Sequence, residues 1–133
     1  PIVITPHLGE FMIFTQNKIK LPEDILEKAN CVKDIANNYK ITILLKGPID
    51  IISDGNRFKI NKTGTPAMTV GGTGDCLAGI LGSLLSRKFS TFRASVAAAY
   101  LCGKAGELAE SHLKGPHITA TDLLKYLSFK NFI

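Results

Sequence analysis

The sequence predicts a layered α/β fold, in which a sheet with parallel strands is covered by helices on both faces. Two short runs, 2–4 and 41–45, have the continuous apolar character of buried strands. A helical pattern lies between them, as a parallel crossover requires. Asp54-Gly55-Asn56 stands between two further apolar runs, and Asp-Gly in that position is a strong hairpin signal.

The remaining elements follow from periodicity and capping signals. Pro22-Glu23-Asp24 places proline and acidic residues at the first turn of a helix. Ser90 or Thr91 can cap a long alanine-rich helix that Gly115-Pro116 ends. In chain order we predict a strand at 2–4, helices at 10–15 and 22–38, a strand at 41–45, a hairpin of 49–53 and 57–60, helices from 73, from 91 to 112 and at 120–127, and a tail or short edge segment at 130–133.

This inventory holds few strands for its helices. Two parallel strands and one hairpin must cover several apolar helices, whereas α/β sheets are normally larger. We therefore expect residues 1–133 to be a single unit, the C-terminal portion of a larger domain. A sheet edge without a neighbouring strand exposes unpaired backbone groups, and pairing with another strand or oligomerisation covers them. We therefore also expect a homo-oligomer.

The composition excludes several classes of function. Hydrophobic residues make up 45% and charged residues 20%, and the net charge of +5 comes from scattered Lys and Arg without a basic stripe or any Trp, which argues against a nucleic-acid surface. No apolar run is long enough to span a bilayer, and we expect no signal peptide. Cys31, Cys76 and Cys102 fall in apolar helical patterns, so we expect buried thiols and a cytoplasmic protein.

The most informative segment is the glycine-rich run 69–75, Thr-Val-Gly-Gly-Thr-Gly-Asp. A helix begins at about Thr73, and its apolar stripe is Leu77, Ile80, Leu81, Leu84 and Leu85. The first amides of a helix have no intrahelical partners, and the helix dipole adds positive charge, so this end suits a phosphate. Neither a Walker A lysine nor a dinucleotide-binding spacing accompanies these glycines.

Asp75 lies in the first turn of that helix, and its role has two interpretations. As a base beside a bound phosphate, it can accept the proton of an attacking hydroxyl. As an ordinary acidic residue near a helix N-terminus, it merely stabilises the helix. The four small residues before Asp75 favour the role of a catalytic base.

Two further segments follow the carboxyl ends of the predicted parallel strands, the edge where α/β sheets bind ligands. In the segment 5–10, His7 can bond a substrate and Glu10 can hold magnesium-bound water, or Glu10 simply opens a helix. In the segment 46–50, Lys46 can reach a nucleotide phosphate, or it is a solvated lysine in an ordinary turn. The polar stretch 61–68 can fold over an adenine and ribose, or serve as a plain connection.

Taken in order, the segments 5–11, 45–47, 64–75 and 77–82 resemble the ribokinase-like superfamily, and more narrowly the ADP/ATP-dependent NAD(P)H-hydrate dehydratase family. The resemblance covers most of residues 2–112, and its most specific part is Gly-x-Pro-x-Met-x-x-Gly-Gly-x-Gly-Asp. Members of the family have roughly twice this length.

The resemblance implies a three-layer αβα fold and repair of hydrated NADH and NADPH with ADP or ATP and Mg²⁺. Asp75 would be the base, His7 and Asp75 would contact the hydrate, and Glu10 would support magnesium through water. The residues implied in binding the adenine nucleotide are Lys46, Gly47, Pro48, Ile49, Asp50, Thr65, Pro66, Ala67, Met68, Thr69, Val70, Gly71, Gly72, Thr73 and Gly74. The amides of residues 72–74 would form the anion hole.

Two other functions remain open at this point. One is a small-molecule kinase of the vitamin or sugar type, which uses the same fold and the same glycine element. The other is a catalytically inactive half-domain that keeps the nucleotide loop and lacks the substrate pocket.

Overall fold

The computed structural model describes residues 1–113 and 117–127. Within them the chain forms a four-stranded sheet and five α-helices. The elements are β1 (Val3–Ile4), α1 (Leu8–Phe14), α2 (Ile25–Tyr39), β2 (Thr42–Leu45), β3 (Asp50–Ser53), β4 (Phe58–Asn61), a 3₁₀ turn (Pro66–Met68), α3 (Thr73–Ser86), α4 (Thr91–Leu113) and α5 (Ala120–Tyr126). The predictions made for 115–116 and for the tail 130–133 fall outside the described residues.

The sheet is mixed, with strand order β1-β2-β3-β4. β1 and β2 pair in parallel, with Val3 opposite Thr42, so the predicted parallel connection is confirmed. β2, β3 and β4 pair antiparallel, and the turn at 54–57 closes the predicted hairpin. Among the described strands only the first pair is parallel, because β3 and β4 are joined by tight turns that reverse the chain.

Helices cover both faces of this sheet, which gives the predicted three layers. Alternate residues of β2 point to opposite faces, as in any strand. Leu44 and Ile52 pack with the cluster formed by α3, α4 and α5. Ile43, Leu45 and Ile51 pack on the other face with Phe11 of α1 and the apolar stripe of α2.

β1 is less enclosed than the sequence suggests. Its apolar run predicts a strand buried on both faces, yet Val3 and Ile4 are only half-buried and Ile2 is exposed. The physical reason is its place at the edge of the sheet, since β1 pairs with β2 alone among the strands within residues 1–113 and 117–127. By contrast, all four residues of β2 are buried, as predicted.

Helix starts differ from the predicted ones where a side chain caps the helix from outside. α2 begins at Ile25 because Asp24 accepts hydrogen bonds from the amides of Leu26 and Glu27, which makes Asp24 the N-cap. α1 begins at Leu8, two residues before the predicted start, because His7 caps it. The start of α3 at Thr73 is as predicted.

The three cysteines are free, as expected, but only Cys102 is fully buried. Cys31 and Cys76 are half-buried, so the expectation of three buried thiols is wrong for these two. Burial raises the pKa of all three thiols, that of Cys102 to about 12. Within the described ranges, no helix has the length and apolar character needed to cross a membrane.

α5 anchors the end of the described chain against the glycine-rich run. Thr119 and Asp122 form a capping box at its start. Leu123 is fully buried in the cluster shared with α3 and α4. The carbonyl of Ala120, at the first turn, accepts a bond from the Cys76 thiol of α3 at 3.6 Å.

We predict that Leu123→Ala lowers the free energy of unfolding by about 2–5 kcal/mol, because it removes a fully buried side chain from that cluster. Leu124→Ala is the matched control, since the neighbouring side chain is 54% exposed and its loss changes stability by about 0.5 kcal/mol or less. Urea denaturation followed by circular dichroism measures both. Equal effects of the two substitutions would contradict the placement of α5.

Candidate active site

The segments that follow β1 and β2 lie side by side. The parallel register continues past both strands into a bridge between His7 and Lys46. The Lys46 amide donates to the carbonyl of Pro6 at 2.8 Å. The structure therefore brings together two segments that are 39 positions apart in the sequence, at the edge where the sequence predicts a ligand site.

His7 and Glu10 are tied to each other by a capping box. The amide of His7 donates to Glu10 Oε2 at 2.7 Å, and the amide of Glu10 donates to His7 Nδ1 at 3.2 Å. Lys46 Nζ lies 3.7 Å from Glu10 Oε2. The hydrogen bond from the His7 amide, helped by Lys46, holds the pKa of Glu10 below its ordinary value against the effect of desolvation. The three side chains thus form one exposed, partly neutralised cluster.

The glycine-rich run folds into a turn that leaves amides free. Gly72 has φ +93°, a left-handed conformation that favours glycine. The Thr73 hydroxyl donates to the carbonyls of Met68 and Val70, at 3.0 and 3.1 Å, and so pins the turn to the start of α3. The amides of Gly72 and Gly74 have no acceptor among the described residues.

Lys46 reaches this turn. A Cβ built on Gly74 would lie 3.5 Å from Lys46 Nζ, so the ammonium group stands beside the free amides. Free helix N-terminal amides and a lysine converge here on one point, and both attract anions. This convergence fits a phosphate of a nucleotide.

Asp75 is exposed in the first turn of α3. Its carboxylate forms no hydrogen bond or ion pair with any other residue in the described parts of the chain. His7, likewise exposed, makes its contacts with Glu10. Both predicted hydrate-contacting side chains are thus at the surface of the ligand edge, and no direct contact joins them.

The turn after β2 is shaped by Asp50. Its carboxylate accepts the Gly47 amide at 3.1 Å and the Asn61 side-chain amide at 3.0 Å. Burial raises the pKa of Asp50, and these two bonds and Lys46 oppose that rise. Gly47, Pro48 and Ile49 remain exposed, which offers an apolar surface beside Lys46 for a flat ring.

The segment 64–70 divides into inward and outward residues. Ala67 is buried and Met68 packs against Gly106 of α4, so these two side chains support the loop from within. Thr65 caps the 3₁₀ turn by accepting a bond from the Ala67 amide. The outward-facing residues of the predicted nucleotide set in this segment are Pro66, Thr69 and Val70.

Several residues at the site were not singled out from the sequence. Asn61 is buried and joins Asp50 to Thr63, whose hydroxyl donates to Asn61 Oδ1 at 2.9 Å. Glu107 of α4 accepts the amide of Gly64 at 3.0 Å. One feature of the sequence could have indicated the contact between Gly64 and Glu107. Two glycines three positions apart in α4, at 103 and 106, make room for a close neighbour.

The donor set fits a nucleotide better than it fits a metal held by the protein alone. Within the described residues, no cluster of three or more His, Cys, Asp or Glu side chains is placed to bind a metal. Glu10 is a single carboxylate beside Lys46, whose ammonium group lies next to the glycine turn. Mg²⁺ is commonly held through one or two carboxylates and the substrate's phosphates, and Glu10 fits that mode.

The three-layer fold and the glycine turn at the ligand edge define a ribokinase-like α/β protein. The protein-family model described as NAD(P)H-hydrate dehydratase matches residues 1–128. The chain therefore belongs to the NAD(P)H-hydrate dehydratase family.

Relatives agree with this assignment. The chain is 50% identical over 126 residues to the ADP-dependent (S)-NAD(P)H-hydrate dehydratase of Cenarchaeum symbiosum, covering 94% of this chain and 42% of that protein. It is 46% identical to a bifunctional NAD(P)H-hydrate repair enzyme of Hyperthermus butylicus, covering 93% of this chain and 23% of that one. The chain thus spans less than half the length of these relatives.

Solved structures show the same fold. The ADP/ATP-dependent NAD(P)H-hydrate dehydratase from Bacillus subtilis, co-crystallised with ATP/Mg²⁺, superposes with a TM-score of 0.80 at 32% identity, over 96% of this chain and 46% of that one. A hydroxyethylthiazole kinase from Pyrococcus horikoshii superposes with a TM-score of 0.81 at 23% identity, over 98% of this chain and 49% of that one. The second likeness concerns the fold alone.

We predict that Gly72→Ala lowers the free energy of unfolding by about 1–3 kcal/mol. A side chain is strained at φ +93°, and its Cβ would lie 2.9 Å from the Cβ of Ala120. Gly71→Ala is the matched control, because a Cβ there meets nothing within 4 Å. Thermal denaturation compares the two, and a Gly72→Ala protein as stable as the Gly71→Ala protein would contradict the described turn.

Proposed function

We propose that this chain carries the nucleotide site and the base of an ADP- or ATP-dependent dehydratase acting on NADH hydrate and NADPH hydrate. The observation that carries the proposal is the position of Lys46 Nζ beside Gly74, which joins the turn after β2 to the free amides of α3. Family membership and the names of the similar dehydratases support the choice of substrate.

In this proposal the amides at 72–74 and Lys46 bind the terminal phosphates of the nucleotide. The amides point out of the helix N-terminus, so they can stabilise the charge that builds on the transferring phosphoryl group. Lys46 adds a mobile positive charge on the same side. The exposed turn 47–49 and the loop residues Thr65 to Val70 would lie against the adenine and ribose.

Asp75 is proposed as the general base. Its carboxylate is exposed, without a partner in the described structure, and one residue from Gly74. It would take the proton of the hydrate hydroxyl as that oxygen attacks the terminal phosphorus and the bond to the nucleotide's bridging oxygen breaks. Loss of phosphate, and of a proton from the neighbouring carbon, then restores the nicotinamide double bond.

His7 and Glu10 have supporting roles. His7 would donate a hydrogen bond to the hydrate, since its ring is exposed at the same edge. Glu10 would hold a water of the Mg²⁺ that accompanies the nucleotide, because its carboxylate stays ionised beside Lys46. The metal would supply charge neutralisation of the phosphates.

Assembly and location are also part of the proposal. Within the described residues β1 pairs with β2 alone, which supports a homo-oligomer or pairing with further strands. The three free thiols are consistent with a reducing compartment, and we propose the cytoplasm.

The direct test incubates the protein, expressed from its complete gene, with NADH hydrate and either ADP or ATP. The proposal requires nicotinamide absorbance at 340 nm to recover together with release of inorganic phosphate. A stable phosphorylated product without absorbance recovery would indicate a small-molecule kinase instead. Nucleotide binding without any turnover would indicate an inactive nucleotide-binding unit.

We predict that Asp75→Asn lowers the turnover rate by about 10²- to 10⁴-fold, because the amide cannot accept the hydroxyl proton. Nucleotide affinity should remain that of the wild type, since Asp75 has no described partner to lose. The free energy of unfolding should fall by no more than about 1 kcal/mol, because the charge of Asp75 no longer favours the N-terminus of α3. Asp34→Asn, an exposed carboxylate on α2, is the control for the change of charge. Full turnover by Asp75→Asn would eliminate Asp75 as the base.

We predict that Lys46→Met weakens ADP binding by about tenfold or more, as expected for loss of a charged partner of a phosphate. Lys33→Met on α2 removes the same charge away from the site and should leave ADP binding unchanged. Isothermal titration calorimetry measures both dissociation constants. Equal affinities would show that Lys46 does not face the nucleotide.

A further inference from the structure

The loop that precedes the glycine turn is fastened to the middle of α4. The amide of Gly64 donates to Glu107 Oε1 at 3.0 Å, and Lys104 Nζ donates to Glu107 Oε2 at 2.6 Å. Two turns earlier on the helix than Glu107, the carbonyl of Tyr100 accepts a bond from the Thr63 hydroxyl at 3.3 Å. These contacts join residues about 40 positions apart in the sequence.

Two glycines of α4 let the loop approach this closely. A Cβ on Gly103 would lie 2.6 Å from the carbonyl carbon of Thr63. A Cβ on Gly106 would lie 2.6 Å from Cγ of Met68. The helix surface is therefore shaped to receive the loop, and Glu107 provides its charged contact with the loop backbone.

The same loop holds the phosphate-binding turn. The carbonyl of Met68, four residues after Gly64, accepts the Thr73 hydroxyl at 3.0 Å, and Thr73 opens α3. A chain of contacts thus runs from Glu107 through Gly64 and Met68 to the amides at 72–74. A shift of the loop on α4 would move those amides relative to Lys46.

Glu107 is suited to this task electrostatically. Burial raises its pKa, but the bonds from Lys104 and the Gly64 amide outweigh burial and hold the pKa below its ordinary value. The hydrogen bond to Glu107 and the negative charge of Glu107 raise the pKa of Lys104. The carboxylate is a strong acceptor for the Gly64 amide, and Lys104 partly neutralises its charge.

We propose that Glu107 is a positioning residue for the nucleotide, acting through the Gly64 amide and the Met68–Thr73 contact. This rests on the proposed function, because it takes the turn at 72–74 as the phosphate site. Glu107 touches no reacting atom in this scheme. Because the amides that it positions would both bind the nucleotide and stabilise the transferring phosphoryl group, it should affect ADP affinity and kcat and leave the KM for the hydrate unchanged.

The test measures ADP binding by calorimetry, and KM and kcat for ADP and for the hydrate, in four variants. Glu107→Ala removes the acceptor, and we expect ADP to bind about tenfold more weakly. Its kcat should also fall, because the displaced amides would stabilise the transferring phosphoryl group less well, whereas its KM for the hydrate should stay near the wild-type value. Glu107→Gln keeps an acceptor oxygen for the Gly64 amide and should restore ADP affinity to within about twofold of wild type.

Glu110→Ala is the matched control. It lies three residues further along α4, and its carboxylate has no described hydrogen bond or ion pair. Glu107→Asp is the fourth variant, which keeps the charge but withdraws the carboxylate by one methylene. If Glu107→Ala does not fold, Glu107→Asp carries the test, and we expect it too to weaken ADP binding.

The outcomes separate the two proposals. If the wild-type protein binds no adenine nucleotide, the proposed function itself fails. If the wild type binds ADP, and the Glu107 variant under test binds it as tightly as Glu110→Ala does, the positioning role is wrong. Equal loss of ADP affinity and of thermal stability in Glu107→Gln and Glu107→Ala would also overturn it, since the retained acceptor would then have no effect.

Discussion

The candidate site depends first on the parallel pairing of β1 with β2. This pairing continues beyond the strands as the bridge between His7 and Lys46, so two loops leave the sheet next to each other. Lys46 is thereby held within reach of both Glu10 and the glycine turn. A register shift of one residue would turn Lys46 to the opposite face of the sheet and remove it from the glycine turn.

The second requirement is that the free amides of α3 stay uncovered and fixed. Thr73 fixes the turn from below by bonding two loop carbonyls, and α5 closes against Gly72 from the side. The loop in turn is fastened to α4, and Asn61 links its start to Asp50 at the beginning of β3. Polar contacts between loops, and not apolar packing alone, therefore set the geometry of the site. Such contacts suit a phosphate-binding site, because they hold backbone donors rigid before the anion arrives.

Much of the fold could be predicted from the sequence. The strand and helix patterns, the Asp-Gly hairpin and the capping box of α5 are local, so residues close in the chain specify them. The order 5–10, 46–50 and 64–75 also predicted which segments meet at the ligand edge, and the structure places Lys46 beside Gly74 there. The predictions that failed concern the burial of β1 and the first residue of α1. β1 is half-buried because of its edge position, and α1 starts early because His7 caps it.

The sequence by itself determined the class of site: a glycine turn opening a helix, with a carboxylate in the first turn and a lysine after a neighbouring strand. Only the tertiary structure decided how these parts are held. The Glu107 bond to Gly64 and the Thr63 bond to the Tyr100 carbonyl join residues far apart in the chain, and neither leaves a periodic pattern in the sequence. A hydrogen bond between distant residues depends on where the folded chain brings a donor to an acceptor, and that is fixed only when the sheet and α4 have packed.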